Sequence, residues 1–348
     1  MSFIVCEALQ KTYADGTEAV KGIDLACEQG EFVVLLGPSG CGKTTTLRMI
    51  AGLEIATAGR ILMAGVDITG HSPKERDVGF VFQFYALYPH LKIEENIGFP
   101  LESMGIGEVD QKKRIGEIVE RLGLGEFLGR YPRQLSGGDQ QRVALARAMV
   151  RQPKMYLMDE PLGTLDADLR LEMRELIRAQ QLASGVTTLY VTHDQEEAMS
   201  LADRVVVMDE GLIRQNAAAA TVYDEPADLF VAHFIGSPGM NFVAGEMHDG
   251  QFFAEGLSLP VETSVRAGPT KLGIRPEFVT VAKEGGLPAS VLMDEYLGSC
   301  RNVHLQTACG RMVMRASDET AFVVGTQLGL TWPAERALIF DPASGERL

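Results

Sequence analysis

Long apolar runs are missing from this sequence. None approaches the roughly 18 residues that a membrane-spanning helix needs, and the runs Phe32–Leu36 and Arg204–Met208 are typical of what is there. Residues 1–10 contain Glu7 and lack the basic start and the apolar stretch of a signal peptide. We therefore expect a cytoplasmic chain, and any membrane role must come through a partner.

Paired cysteines and basic clusters are missing as well. The five cysteines are scattered and none makes a CxxC pair, so free thiols are expected. Acidic residues outnumber basic ones by 47 to 32, and the resulting net charge of -15 is spread along the whole chain. Such a field repels nucleic acid and anionic lipid, so we expect neither as a partner.

The 348 residues, 46% of them apolar, are enough for two or three domains with a large core. Short, β-branched apolar runs alternate with helical patterns over the first two-thirds of the chain. This alternation predicts an α/β fold with a mostly parallel sheet, because unalternated runs fit strands that are buried on both faces. The predicted strands are Phe32–Leu36, Val78–Phe82, Met155–Met158, Thr188–Thr192 and Arg204–Met208.

Two further boundaries follow from changes in pattern. Residues 87–152 contain helical patterns and few strand candidates, which predicts a helical subdomain inserted into the sheet. After Gly236–Gly239 come short strands at the spacing of a small β-barrel or sandwich. We therefore predict a first domain at residues 1–235 and a second, β domain at residues 236–348.

A glycine-rich loop lies between the first predicted strand and the helix that follows it. It fits the pattern G-x-x-x-x-G-K-[ST], whose backbone N–H groups surround phosphate oxygens while the lysine reaches the β and γ phosphates and the hydroxyl binds Mg²⁺. We expect this loop to bind a nucleotide triphosphate with Mg²⁺. Its residues are Gly37, Pro38, Ser39, Gly40, Cys41, Gly42, Lys43 and Thr44, with Thr45 next to them.

Two acidic residues, Asp159 and Glu160, end another predicted strand. In a parallel sheet the carboxyl ends of the strands gather at one edge, which places this pair beside the glycine-rich loop. We expect Asp159 to hold the metal and its water, and Glu160 to activate water as a general base. An acidic helix cap is the alternative explanation for such a pair, and the loop upstream favours the catalytic one.

The segment Leu135–Arg142 distinguishes this chain from other nucleotide hydrolases. Ser136, Gly137 and Gly138 offer a hydroxyl and exposed N–H groups where a helix begins, which suits an anion, although such a sequence also opens ordinary helices. As an eight-residue string it resembles the signature of the ABC transporter ATPases. The resemblance covers residues from about 3 to 235 and implies a P-loop ATPase domain with a mostly parallel sheet, an antiparallel β edge and the helical subdomain.

The resemblance implies roles for four other residues. Tyr13 lies where the family stacks an aromatic ring on adenine, and Gln83 matches the glutamine that senses Mg²⁺ and the attacking water. Asp166 belongs to the loop that crosses the dimer interface, and His193 matches the switch histidine at the γ phosphate. Taken singly, each of these residues also fits an ordinary role. Tyr13 fits a surface aromatic and Gln83 a polar strand end. Asp166 fits a helix N-cap, and His193 fits a histidine bonded to the backbone. Their joint order favours the family. The implied catalytic residues are Glu160, His193, Gln83 and Lys43, and the implied metal ligands are Thr44, Gln83 and Asp159.

In that family two ATPase domains pack head to tail, with each ATP between one phosphate loop and the other subunit's signature. The resemblance therefore implies a homodimer or a heterodimer of related ATPases, closed by ATP and reopened by hydrolysis, which moves integral membrane permease subunits. Two positions depart from the family. Gly163 replaces the serine that usually begins the crossing loop, and Phe84 replaces a small polar residue after Gln83. The aromatic stretch 84–90 fits either subdomain core or a groove for a helix of the permease.

The junction Phe234–Asn241 and the segments Gly273–Glu277 and Glu295–Gly298 resemble ATPases of carbohydrate importers of the maltose and glycerol-phosphate type. This resemblance implies a C-terminal regulatory domain built as an oligonucleotide-binding-type β-barrel, a sugar, polyol or glycerol phosphate as cargo, and an external solute-binding protein as an indirect partner. It also implies a peripheral position on the inner face of the membrane. The alternatives are a polyamine or ion importer and a soluble ABC-type ATPase acting on DNA or ribosomes.

Overall fold

The computed structural model describes residues 2–261 and 267–348. The chain divides into two compact units, Met1–Ala219 and Ala220–Leu348. The boundary predicted at residue 235 falls inside the second unit.

The first unit contains ten strands among its described residues, and they form two sheets. In chain order these strands are β1 (Ser2–Thr12), β2 (Glu18–Glu28), β3 (Phe32–Leu36), β4 (Ala58–Met63), β5 (Val66–Asp67), β6 (Val78–Val81), β7 (Met155–Asp159), β8 (Thr187–Thr192), β9 (Arg204–Asp209) and β10 (Leu212–Ala217). The helices that begin in this unit are α1 (Lys43–Ala51), α2 (Pro73–Arg76), α3 (Ile93–Ser103), α4 (Glu108–Arg121), α5 (Gly137–Met149), α6 (Ala167–Ser184), α7 (Gln195–Leu201) and α8 (Ala219–Asp224).

The larger sheet of the first unit has six strands in the order β10-β9-β3-β8-β7-β6. All its pairings are parallel except that of β9 with β10. Every residue of β3, β7 and β8 is buried, because helices or other strands cover both faces. The prediction of a mostly parallel sheet is confirmed, and so is the antiparallel β edge, which is the sheet of β2, β1, β4 and β5.

The stretch predicted as helical, residues 87–152, contains α3, α4, α5 and two short 3₁₀ turns, Gly125–Phe127 and Pro132–Gln134. All of these residues are described, and none lies in a strand. The side chains of Ile97, Leu101, Ile115 and Val143 are buried between the helices.

The second unit holds most of α8 and then α9 (Leu229–Phe234), and its described residues continue as two five-stranded sheets. One has the order β13-β12-β11-β14-β20 and the other β15-β19-β16-β17-β18. Their strands are β11 (Asn241–His248), β12 (Gln251–Ala254), β13 (Leu257–Pro260), β14 (Gly268–Ile274), β15 (Thr280–Val281), β16 (Leu287–Tyr296), β17 (Cys300–Thr307), β18 (Gly310–Ser317), β19 (Gln327–Thr331) and β20 (Leu338–Phe340). Short 3₁₀ turns lie at Pro276–Phe278 and Ala334–Arg336. The apolar side chains of both sheets form one core, as expected for the predicted small β domain.

Side-chain contacts explain why residues 220–235 belong with this β domain. The buried guanidinium of Arg275 donates to the main-chain oxygens of Tyr223 and Ile235, at 2.5 Å each. Its positive charge lies 3.9 Å from the centre of the Tyr223 ring. The chain therefore changes unit at the first residue of α8, although the turn-forming Gly236–Gly239 comes later in the sequence.

Candidate active site

The glycine-rich loop connects the end of β3 to the start of α1. A Cβ atom at Gly37 would lie 2.2 Å from the Met208 carbonyl oxygen, so any other residue would clash with β9. Gly42 has a φ of 104°, and a Cβ there would lie 2.4 Å from the Ala19 oxygen. Only glycine suits these two positions, because a Cβ atom would clash at both and the backbone at Gly42 is left-handed.

Lys43 is the first residue of α1, and its side chain is buried within the loop. Its Nζ atom donates hydrogen bonds to the carbonyl oxygens of Gly37, at 2.7 Å, and Pro38, at 2.9 Å. These bonds place a positive charge at the centre of the loop. In a chain of net charge -15, such a concentrated positive charge is suited to an anion such as phosphate.

Thr44 joins α1 to β7. Its Oγ1 atom donates a 2.8 Å hydrogen bond to Oδ1 of Asp159, the last residue of that strand. Burial raises the pKa of Asp159, and the Thr44 hydrogen bond partly offsets this effect. A hydroxyl and a carboxylate oxygen side by side are the ligands that Mg²⁺ prefers, and a cation would offset the cost of the buried carboxylate.

Glu160 holds the centre of the candidate site. Its backbone is in the left-handed region, with a φ of 43°, and its N–H donates to the Val191 oxygen at 3.0 Å. Its Oε2 atom accepts from Nε2 of Gln83 at 3.1 Å and lies 3.2 Å from Nδ1 of His193. The structure thus brings two residues, Gln83 and His193, from two other segments to one carboxylate oxygen of Glu160.

The signature segment forms the start of α5. The Ser136 hydroxyl accepts from the Asp139 N–H at 3.2 Å and donates to Oδ2 of Asp139 at 2.6 Å. Gly138 packs against α6 so closely that a Cβ would lie 2.2 Å from Cδ2 of Leu169. Ser136 is an N-cap whose bonds lie within its own helix, so the structure does not bring it to the phosphate loop of the same chain.

Asp166 and Tyr13 lie at the margins of the candidate site. Oδ1 of Asp166 accepts from the Leu169 N–H at 3.0 Å and caps α6. The hydroxyl of Tyr13 lies 3.3 Å from Oγ1 of Thr45, beside the phosphate loop, and its ring is about one-third exposed. The structure therefore places Tyr13 next to the loop, whereas Asp166 acts within the chain as a helix cap.

Comparison with known proteins identifies the family. The ABC transporter profile matches residues 20–163 and the TOBE domain profile matches residues 272–340. A Vibrio vulnificus protein named sn-glycerol-3-phosphate import ATP-binding protein UgpC is 44% identical over 330 residues, which cover 93% of this chain and 87% of the relative. A protein of the same name from Ruegeria sp. is 43% identical and covers 100% of this chain and 99% of the relative.

This chain belongs to the ABC transporter ATPases. Solved structures agree with the assignment. cbiO1 from Clostridium perfringens, described as part of the ABC transporter complex cbiONQ, superposes with a TM-score of 0.60 at 30% identity, over 64% of this chain and 91% of that one. The ATP-binding cassette MJ0796, solved as a dimer bound to ADP and Pi, superposes with a TM-score of 0.57 at 32% identity, over 62% of this chain and 98% of that one.

The family membership confirms the prediction of an ATPase that powers a membrane importer, and ATP is its nucleotide. In residues 2–261 and 267–348, no helix is both long and apolar enough to cross a bilayer.

An open groove of about 720 Å³ lies between the larger sheet and the helical subdomain of this ABC ATPase. Arg147 lies over the Tyr88 ring, 5.2 Å from its centre, and donates to the carbonyl oxygens of Tyr85 and Ala86. The sequence alone left open whether Phe84 belongs to the core of the subdomain or to a groove. Its side chain is three-quarters exposed, so it does not belong to the core. Mostly apolar and basic side chains, together with Asp77, line the groove, including Leu53, Phe80, Phe82, Tyr88, Met104, Arg147 and Arg151.

Sequence reasoning missed two side chains that contact the crossing loop Gly163–Asp166. The Tyr85 hydroxyl lies 2.5 Å from Oγ1 of Thr164, and Arg170 donates to the Leu165 carbonyl oxygen at 3.1 Å. Gly163 lacks the hydroxyl of the serine that the family usually has there, but the next residue, Thr164, supplies a hydroxyl that contacts Tyr85. The signals in the sequence were an aromatic residue, Tyr85, two positions after Gln83 and a basic residue, Arg170, four positions after Asp166. Neither pattern predicts which residue its side chain contacts.

Proposed function

We propose that this ATPase binds Mg-ATP at the loop Gly37–Thr45 and that Glu160 is its general base. Lys43 holds the phosphates, and Tyr13 supports the adenine ring. Thr44, Asp159 and Gln83 would hold Mg²⁺, which would offset phosphate charge when bound. The observation that supports this assignment best is the shared Oε2 atom of Glu160, because Gln83 and His193 orient the carboxylate that must accept a proton from water.

The signature and the crossing loop act, in this proposal, on a second copy of the chain or a related ATPase. Ser136, Gly137, Gly138 and Asp166 are then ligands of the ATP held by the other subunit. The support is their placement, since the bonds of Ser136 and Asp166 lie within their own helices while the phosphate loop is filled by its own residues. ATP closes the two subunits and hydrolysis reopens them.

Light scattering on the Glu160→Gln variant tests this dimer. Glutamine cannot accept the proton of the attacking water, so the variant should hold Mg-ATP and remain a dimer. Its mass should then be twice that of one chain, which is 37.8 kDa. The same variant carrying Ser136→Glu, which puts a negative charge at the phosphate, should return to its nucleotide-free state of association. A Glu160→Gln protein whose mass does not respond to Mg-ATP would contradict the composite site.

We further propose that the chain powers uptake of sn-glycerol 3-phosphate or a related polyol or sugar, from a peripheral position on the inner face of the membrane. The similarity to two proteins named for glycerol-phosphate import supports this cargo. The apolar and basic groove beside Tyr88 would receive the permease, and an external solute-binding protein would deliver the cargo.

Reconstituted transport tests the cargo. The complete transporter in liposomes should take up labelled glycerol 3-phosphate or maltose, and spermidine or sulfate should not compete. Uptake of spermidine or sulfate instead would overturn the carbohydrate assignment but leave the ATPase site untouched.

A further inference from the structure

Arg170 lies in the first turns of α6 and contacts two separate loops. Its Nη2 atom donates to the Leu165 carbonyl oxygen at 3.1 Å, and its Nη1 atom donates to Oδ2 of Asp194 at 2.9 Å. Leu165 belongs to the crossing loop, whereas Asp194 directly follows His193. One guanidinium therefore links the crossing loop to the histidine segment.

The Asp194 end of this link is held firmly. Its other oxygen, Oδ1, accepts from the N–H groups of Glu196, at 2.8 Å, and Glu197, at 3.1 Å, and so caps α7. The Asp194 N–H donates to Oγ1 of Thr192 at 2.9 Å. A displacement of Asp194 must therefore move the start of α7 and the adjoining His193, whose ring is 3.2 Å from Glu160.

We propose that Arg170 is a positioning residue for hydrolysis, which makes the position of His193 against Glu160 depend on the position of the crossing loop. This inference rests on the proposed function, in which Glu160 is the base and the crossing loop meets the second subunit. When the second subunit contacts the crossing loop, the Arg170 side chain then transmits the change in the loop's position to His193 and so to the Glu160 carboxylate of the same chain.

The geometry requires a guanidinium. Its planar group presents donors in a fixed fork, so two acceptors on different segments are held at a set separation. A lysine has a single ammonium on a flexible stem and cannot hold the same two acceptors in this geometry. Arg170→Lys keeps the charge and removes the fork, which separates positioning from electrostatics.

Arg174 provides a matched control one turn further along α6. It also links α6 to α7, because its Nη1 atom lies 3.9 Å from Oε2 of Glu196. Among the described residues it has no hydrogen bond to the crossing loop. If kcat depended only on the strength of the α6–α7 contact, substitutions of both arginines would lower it. If it depends on positioning through the crossing loop, only a substitution of Arg170 would lower it.

The test is steady-state ATP hydrolysis by the full chain with Mg-ATP. We expect Arg170→Lys to lower kcat by about 10- to 100-fold with KM and the melting temperature unchanged, since small displacements of catalytic groups have effects of this size. Arg174→Lys should stay within twofold of the wild type. His193→Ala should lower kcat, and adding Arg170→Lys to it should lower kcat no further, because both changes act on the same contact.

A kcat for Arg170→Lys within twofold of the wild type, an equal loss in Arg174→Lys, or additive losses with His193→Ala would each overturn the inference. The proposed function is tested separately by Glu160→Gln. Turnover that survives Glu160→Gln overturns the proposed function, whereas turnover lost there but kept in Arg170→Lys overturns only the positioning assignment.

Discussion

The Thr44 hydroxyl donates a 2.8 Å hydrogen bond to Asp159 and so joins the start of α1 to the end of β7. The two residues are far apart in the sequence, and the parallel sheet brings them together at the edge where β3 and β7 end. A buried carboxylate beside a hydroxyl is costly for the fold on its own and well suited to a divalent cation.

Asp159→Asn should make the nucleotide-free protein more stable at neutral pH and abolish its affinity for Mg²⁺. Burial raises the pKa of Asp159, so the folded state binds the proton more tightly than the unfolded state. Stability from this group is therefore lost as pH rises from the ordinary pKa of 3.8 through the raised value. Asparagine removes this loss, so thermal unfolding between pH 4 and pH 8 should show a flatter profile of stability against pH and a gain in stability at pH 7.

Asp67→Asn is the control, because the pKa of Asp67 is shifted in the opposite direction to that of Asp159. The Thr69 hydroxyl and N–H donate to this exposed carboxylate and lower its pKa. Stability from Asp67 is thus present above its ordinary pKa and lost as pH falls, so the substitution should give no gain at pH 7. A gain in Asp67→Asn equal to that in Asp159→Asn would contradict the burial argument.

Lys43→Ala should abolish productive phosphate binding. The substitution removes the buried ammonium that both fills the loop and balances the phosphate charge, so turnover should fall by a factor on the order of 100 or more. Lys112→Ala, on the exposed face of α4, should keep normal turnover. Near-normal ATPase activity in Lys43→Ala would refute the assignment of the loop.

Tyr85→Phe and Thr164→Val should each lower kcat by a similar small factor, and the double variant should lose no more than either one. Each change removes one partner of the same 2.5 Å hydrogen bond between the segment after Gln83 and the crossing loop. A double-mutant cycle on kcat measures the coupling. Fully additive losses would show that the two hydroxyls act independently.

Truncation after Ala219 should leave a chain that binds ATP, and truncation after Gly239 should give a less soluble one. The second cut leaves Ala232 and Leu229 behind without Met240 and Phe340, which pack with them in the intact chain. Nucleotide titration and sedimentation compare the two. Loss of ATP binding in the 1–219 chain would contradict the independence of the first unit.

Local patterns in the sequence were sufficient for the residues whose placement follows from the sheet. Asp159 ends the apolar strand β7 and Glu160 directly follows it, while Lys43 and Thr44 start the helix after the glycine-rich loop of β3. Parallel pairing brings these strand ends to one edge of the sheet. One hairpin of the β domain was also predictable, since Asp249-Gly250 is a common turn pair and lies between β11 and β12.

Contacts between side chains of distant segments were not predictable. Arg170 with Asp194 and Tyr85 with Thr164 depend on how α6 and the segment after β6 pack, and no spacing rule specifies such partners. The position at which the chain passes from one compact unit to the other depends on such contacts as well. Gly236–Gly239 is a strong turn signal, but the bonds from Arg275 to the main chain of residues 223 and 235 place the preceding helices with the β domain.

The nucleotide retained by the Glu160→Gln variant tests the central claim most directly. Wild-type and variant proteins are incubated with radiolabelled Mg-ATP, freed of unbound nucleotide and analysed for the ratio of ATP to ADP. If Glu160 is the general base, the variant retains intact ATP while the wild type yields ADP. Conversion of ATP to ADP by the variant at close to the wild-type rate would contradict the account.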